Sequence, residues 1–333
     1  MNFKIIIPVL LIVLFGIAAL ISLHDTPTTI TKNQDPIKIS VDSWPVSGHL
    51  FVAEQKGFFE KNNVKVELSL MQDIPNFHSQ YTTGDADAIM AVYADGIFYD
   101  AVFVPSNVVY VTDMITTADF LVGNVDSIAE LKGKTIGVTE MNSFSHLFVL
   151  ELLSQEGLDS DDVNLILIPS SEVINKIKDG TIDAGHSWNI DVRESAQSLN
   201  YNILAEAKDA SGIISDVMIF KSSTIDSRPN DVSAIITSYG EAIDYCKLNY
   251  EECLSIISEN IGWSEEEINE NFNSIVAFDV NDNIQIMQDS HESFSLFGSG
   301  EIIAKQYVAL KQINQIPNFD EFVAKHFVLG LDQ

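Results

Sequence analysis

From Ile37 onward the chain alternates short β-branched runs with helical segments, and it does so twice. No other feature constrains the fold as tightly. Strands separated by helices return in the same direction, which builds parallel sheets from right-handed βαβ units. The first round predicts strands over 37–41, 64–70, 86–92 and 107–113, with helices over 48–56, 76–83 and 95–102. Segment 64–70, VKVELSL, alternates with period two as a half-buried strand does. The second round predicts strands over 135–139, 163–168, 183–186 and 201–204, with helices over 143–156, 170–178 and 191–199. Gly57, Gly84, Gly157 and Gly180 stop the preceding helices. A strand over 217–221 then returns to the first sheet, and the chain beyond Pro229 is mainly helical: 232–248, 251–260, 264–271, 301–315 and 320–326. The expectation is an α/β protein of two lobes, 37–118 with 217–333 and 119–216 between them, joined by two crossings that act as a hinge. A chain of this size carries two cores, because single cores stop growing near about 250 to 300 residues.

Ahead of the first strand, 5–23 is nearly uninterrupted apolar sequence with Lys4 on its N-terminal side. A spanning helix needs about 20 such residues and a cleavable signal core roughly 7 to 15. The exit Ala18-Ala19-Leu20-Ile21-Ser22 is a poor cleavage site. An uncleaved anchor over 1–23 is favoured over a removed signal peptide. Lys4 places its start in the cytoplasm and the rest outside. Segment 24–36 is polar and Thr-rich, a stalk.

The formal net charge is −30, from 48 acidic against 18 basic residues, in a chain that is 46% hydrophobic. The hydrophobic share excludes a disordered acidic tail, and a surface of this sign repels nucleic acid and anionic lipid. Cys246 and Cys253, the only cysteines, would lie about 10 Å apart in one continuous helix. A corner at 249–252 would bring them together, so a bridge and two buried thiols both stay open. His49, His146 and His186 stand near predicted turns, but they come from separate loops without a closely spaced ligand pair, so no metal is expected.

Several phrases carry a family resemblance: WPVSGHLFVAEQKGFF from Trp44, GDADA from Gly84, VYVTDMITTADFLV from Val109, IAELKGKTIGV from Ile128, the helix start at Ser143, GTIDA from Gly180, and the Trp188 region. In this order they resemble the solute-binding subunits of ABC importers for nitrate, sulfonates, taurine and thiamine-pyrimidine precursors. The resemblance implies a type II periplasmic-binding-protein fold, a small-molecule solute, a membrane permease as partner, a monomer, and no cofactor or catalytic residue.

In open α/β sheets, ligands bind beyond the carboxyl ends of the strands, where helix N-termini offer free N–H groups. Five such ends supply the candidate binding residues: Trp44, Ser47 and His49; Tyr93 and Asp95; Asp113, Thr116, Thr117 and Asp119; Ser143, Phe144 and Ser145; and His186, Trp188 and Asn189. Of three tryptophans, Trp44 and Trp188 fall one per lobe, as opposing walls would. The only arginines, Arg193 and Arg228, stand away from these ends. An arginine clamp on an anion is therefore not expected. Asp42, Asp95, Asp113, Asp119 and Asp216 instead gather there, and an acidic, aromatic cleft suits a planar or amine-bearing solute. The expected function is capture of such a solute for an ABC importer. Nitrate or sulfonate binding and a sensing ectodomain are the alternatives. A pyrimidine-synthase-like enzyme is disfavoured, because no cysteine precedes Cys246 and no nucleophile elbow appears.

Overall fold

The computed structural model describes residues 35–71, 74–210, 212–287 and 295–330. The predicted anchor over 1–23 lies outside them. Among the described residues no helix is long and apolar enough to cross a membrane.

Two sheets organise the chain. The first contains β1 (Ile37–Val41), β2 (Val66–Leu70), β3 (Ala88–Val92), β4 (Ser106–Ile115), β10 (Ser215–Lys221) and β11 (Ile275–Ala277), in the order β11-β4-β10-β3-β1-β2. The second contains β5 (Phe120–Gly123), β6 (Thr135–Val138), β7 (Asn164–Leu167), β8 (Ala184–Ser187) and β9 (Asn202–Glu206), in the order β7-β6-β8-β5-β9. In each, four strands run in one direction and a strand on the far side of a crossing inserts antiparallel among them, while β11 adds an antiparallel edge to the first sheet. That strand is β10 in the first sheet and β5 in the second. The wholly parallel sheets expected from the alternation are thus corrected to mixed ones. A segment entering from the other lobe has no helix to turn it round, so it pairs in the direction in which it arrives.

Sequence and position agree strand by strand. The central β3, AIMAV, is buried on both faces and reads as an unbroken apolar run. The edge strand β2 is half-buried and alternates. The helix His49–Gln55 ends at Gly57, whose φ of 73° only glycine adopts cheaply.

Two segments link the sheets: 116–119 between β4 and β5, and 207–214 between β9 and β10. They are bonded to each other. Ile115 N donates to Ile214 O at 3.1 Å, Lys208 N to Thr116 O at 2.9 Å and Ala207 N to Asp119 O at 2.9 Å. The helices Pro229–Leu248 and Tyr250–Ile261 meet at Asn249, the corner the sequence left open, and Cys246 and Cys253 are bridged there with Cα atoms 5.3 Å apart.

Candidate functional site

A cleft of about 160 Å³ opens at the carboxyl ends of the first sheet's parallel strands. Asp42 follows β1, Asp95 sits in the first turn of the helix Tyr93–Val102 that follows β3, and Asp216 opens β10. Because β10 runs antiparallel, its first residues lie at the same end as the others' last: Asp216 pairs in register with Val92 of β3 and Asp113 of β4. Asp42, Asp95, Asp119 and Asp216 line the cleft, with Trp44, Phe77, His78, Trp263, Phe144 and Trp188 as aromatic wall. Phe144 and Trp188 come from the elements after β6 and β8 of the second sheet. Among the described residues, no lysine or arginine lines it.

The carboxyls hold protons unusually well. Withdrawal from water raises Asp42 to about 6, against hydrogen bonds from Ser47 and the Trp44 backbone. Burial, then the charge of Glu140, raises Asp95 to about 7, while the Phe144 backbone N–H pulls it back. Asp113, fully buried behind the cleft, is raised to about 7 by burial, although Thr112 and Trp44 donate to it and lower it. Asp216 is raised well above the carboxylate range by burial first, then by Asp113, Asp42, Asp119 and Asp95. Like charges crowded in a poorly hydrated space cannot all ionise together.

The tryptophan wall is fixed from behind. Trp44 Nε1 donates to Asp113 Oδ2 at 3.3 Å, and its backbone N–H donates to Asp42 Oδ1 at 3.1 Å. Its ring meets Trp263 nearly edge-on, with centroids 6.1 Å apart. On the second lobe His186 Nε2 approaches Asp119 Oδ1 at 2.8 Å, an ion-pair distance off the line of a good hydrogen bond. Its Nδ1 lies 2.9 Å from Ser145 Oγ, and Phe144, Phe148 and Trp188 surround the ring.

Of the sequence-predicted residues, the structure brings Trp44, Asp95, Asp119, Phe144 and Trp188 to the lining and places Asp113 directly behind Trp44. The others have partners elsewhere. Ser47 serves Asp42. His49 Nδ1 lies 2.8 Å from Val46 O, with the ring against Tyr239 and Phe272. Tyr93 is fully buried and stacks on Phe322. Thr116 Oγ1 donates to Ser274 O at 2.7 Å, and Thr117 N to the same carbonyl at 3.1 Å. Ser143 Oγ donates to Glu140 O at 2.9 Å, Ser145 and His186 bond each other, and Asn189 Oδ1 caps the helix Ile190–Leu199 by accepting from Val192 N. His146 Nδ1 accepts from Asn142 N at 3.1 Å.

Sequence reasoning missed Trp263, Phe77 and His78. Trp263 follows the helix stop at Gly262, and its being one of three tryptophans was the signal available. Phe77 and His78 lie within the helix Ile74–Thr83, with nothing local to mark them. Both arginines are committed: Arg193 bonds Glu206 and the Thr117 carbonyl beneath the crossing and lies over the Phe120 ring, and Arg228 pairs with Asp231.

No curated protein matches the sequence. Among solved structures, the fold is similar to the periplasmic aliphatic sulphonate binding protein SsuA from Escherichia coli, at 12% identity and TM-score 0.66, covering 87% of this chain and 92% of that one. It is equally similar to the zinc-bound ligand binding component of an ABC-type import system from Staphylococcus aureus, at 14% identity and TM-score 0.66, covering 89% and 98%. The desulfurization enzyme DSZB follows at 15% identity and TM-score 0.62, covering 90% and 100%. Identities this low carry the fold alone, which is that of the two-lobed periplasmic binding proteins. At the level of sequence, the family model described as NMT1/THI5 like matches residues 44–252. With that match spanning more than half of its length, the chain belongs to the NMT1/THI5-like family.

Proposed function

We propose that the chain is an extracytoplasmic solute-binding protein, acting as a monomer, that closes its two lobes on a small planar or amine-bearing molecule and delivers it to an ABC permease. The observation that carries this is the lining: Asp42, Asp95, Asp119 and Asp216 share one cleft with Trp44, Trp188 and Trp263, without a lysine or arginine among the described residues. An amino group donates to carboxylates, a planar ring stacks on indole, and an ammonium gains from the ring face. A thiamine-pyrimidine precursor has this chemistry, and family membership supports it. The SsuA and import-component folds support capture and transport, and closure follows from differential binding to the closed state. We assign no catalytic role. Cysteine, the most reactive nucleophile available, occurs only at Cys246 and Cys253, which are bridged to each other outside the cleft lining.

Calorimetric titration of the full-length chain with a hydroxymethyl-aminopyrimidine and with taurine tests the reading. Heat from the pyrimidine supports it, and binding of taurine alone overturns the solute class. Trp44→Ala and Trp188→Ala are each expected to weaken binding at least about tenfold while melting stays cooperative, since each removes a wall of stacking area. Normal affinity in both variants would place the solute elsewhere.

A further inference from the structure

His78 stands apart in the cleft. Among the described residues it is the one titratable lining group that is not a carboxyl, the others being Asp42, Asp95, Asp119 and Asp216. It belongs to the helix Ile74–Thr83, and its ring packs against Phe77, with centroids 5.3 Å apart, and Tyr99, at 5.7 Å. Its Nδ1 is hydrogen-bonded to the Tyr99 hydroxyl. Tyr99 is buried, and burial holds its proton well beyond the ordinary phenol range. His78 is the one hydrogen-bond partner of that hydroxyl among the described residues, so the phenol satisfies its proton by donating it to Nδ1.

The tautomer follows. Burial lowers His78 to about 4, so near neutral pH the ring is uncharged and carries a single proton. With Nδ1 taken as an acceptor, that proton sits on Nε2. This nitrogen has no partner among the described residues, which leaves its N–H to a molecule bound in the cleft that His78 lines.

The donor also has an acceptor near it. Asp95 and Tyr99 are four residues apart in the helix Tyr93–Val102 and therefore share a face. The charge of Asp95 adds to the burial that raises Tyr99, as a neighbour's does. His78, tied to Tyr99, is thus a neutral donor on the Asp95 side of the cleft. A solute with N–H groups alone leaves that donor unpaired, and an unpaired donor withdrawn from water costs more than an ordinary hydrogen bond gains. A planar base whose ring nitrogen adjoins an amino group serves both: its nitrogen accepts from His78 and its amino group donates to a carboxyl.

We propose that His78, positioned by Tyr99, sets specificity within the cleft by donating its Nε2–H to an acceptor atom of the solute, so that planar bases with an acceptor nitrogen beside an amino group bind in preference to amines without one. This rests on the cleft being the capture site, and it adds the residue that reads the solute's acceptor and the residue that orients it.

Calorimetry on the full-length chain at slightly alkaline pH, with 4-aminopyrimidine and aniline as probes, tests it. Both are uncharged flat rings with one amino group, and only the first has ring nitrogens. The wild type is expected to favour 4-aminopyrimidine by at least about tenfold, as a site built to hydrogen-bond does against an analogue lacking the group. His78→Phe keeps a ring against Phe77 and Tyr99 without a donor, and is expected to bring the ratio to about one. His78→Gln restores an amide donor and is expected to recover part of the preference. Long-range proton–nitrogen NMR of the histidines is expected to show the Nε2–H tautomer of His78 in the wild type and a mixture of tautomers in Tyr99→Phe, with circular dichroism melts as the folding control. A folded His78→Phe with the wild-type ratio, or a wild-type His78 protonated on Nδ1, overturns the proposal; if the wild type still gives heat with the probes, the capture reading stands and the role of His78 alone fails. A wild type silent toward both probes overturns the solute class and the proposal with it.

Discussion

Burial raises Asp216 well above the carboxylate range, and it faces Asp42, Asp95, Asp113 and Asp119 together. The sign of its effect on stability follows from linkage. A carboxyl whose folded pKa is raised keeps a proton that the unfolded chain gives up near pH 4, so its contribution is greatest at low pH and is lost as pH rises through the folded value. With Asp95 and Asp113 both raised to about 7, the window extends past neutrality. His49, His78 and His146, lowered by burial, act in the opposite sense, but their effect is complete near the ordinary histidine value. The range from pH 6.5 to 8 therefore isolates the carboxyls. Without added solute, the melting temperature is expected to fall across it, each fully buried group costing roughly 1 kcal/mol. Asp216→Asn is expected to flatten that slope, because it removes one charge from the cluster and lets its neighbours ionise more freely. A slope identical to the wild type in differential scanning calorimetry would show that the cluster is not electrostatically coupled.

Among the elements, the helix pair Pro229–Leu248 and Tyr250–Ile261 does most to complete the cleft from a distance, since Trp263 follows directly on its second member. The Cys246–Cys253 bridge fixes their corner, with both sulfurs buried. Closing a loop of this separation is worth about 2 kcal/mol in chain entropy. The double substitution Cys246→Ser with Cys253→Ser is expected to lower stability by about that amount in urea unfolding, with the m-value unchanged; an unaltered midpoint would mean that packing alone sets the corner. The sequence revealed the strand and helix grammar well, because β3 and β2 carry their burial in their patterns. It concealed β5 and β11, short strands whose pairing is decided by segments far along the chain. At the site, residues that begin helices after strands, such as Trp44, Asp95 and Phe144, were legible by position. The hydroxyls Thr116, Ser143 and Ser145 have backbone partners in the structure, as a serine or threonine at a turn commonly does, and their position alone does not reveal this. Trp263 was not legible, since nothing in a helical tail says which sheet end it will reach.

For the whole molecule, the proposed capture turns on the balance between open and closed lobes. The crossings 116–119 and 207–214 are laced together, while Thr116 and Thr117 are tied to Ser274 O, so the two links are restrained as one unit. Beyond them a small set of contacts joins the lobes. Gln306 Nε2 donates to Glu151 Oε2 at 3.0 Å, and the Tyr307 hydroxyl lies 3.2 Å from Ala94 O and 3.0 Å from Asn142 O. Tyr307 belongs to the helix Leu296–Ala309, so the helical tail reaches over the gap to a carbonyl on each side. A hydrogen bond of this kind contributes about 1 kcal/mol net, roughly a fivefold change in an equilibrium. A solute's apparent affinity scales with the populated fraction of the competent state. Tyr307→Phe keeps the ring on Phe98 and removes only the hydroxyl. It is expected to weaken solute binding several-fold and to enlarge the solute-free radius of gyration in small-angle scattering, while the solute-saturated radius matches the wild type. Equal radii and equal affinity would assign closure to contacts such as Gln306–Glu151 without Tyr307, whereas an enlarged saturated form would mean that the solute itself does not hold the lobes together.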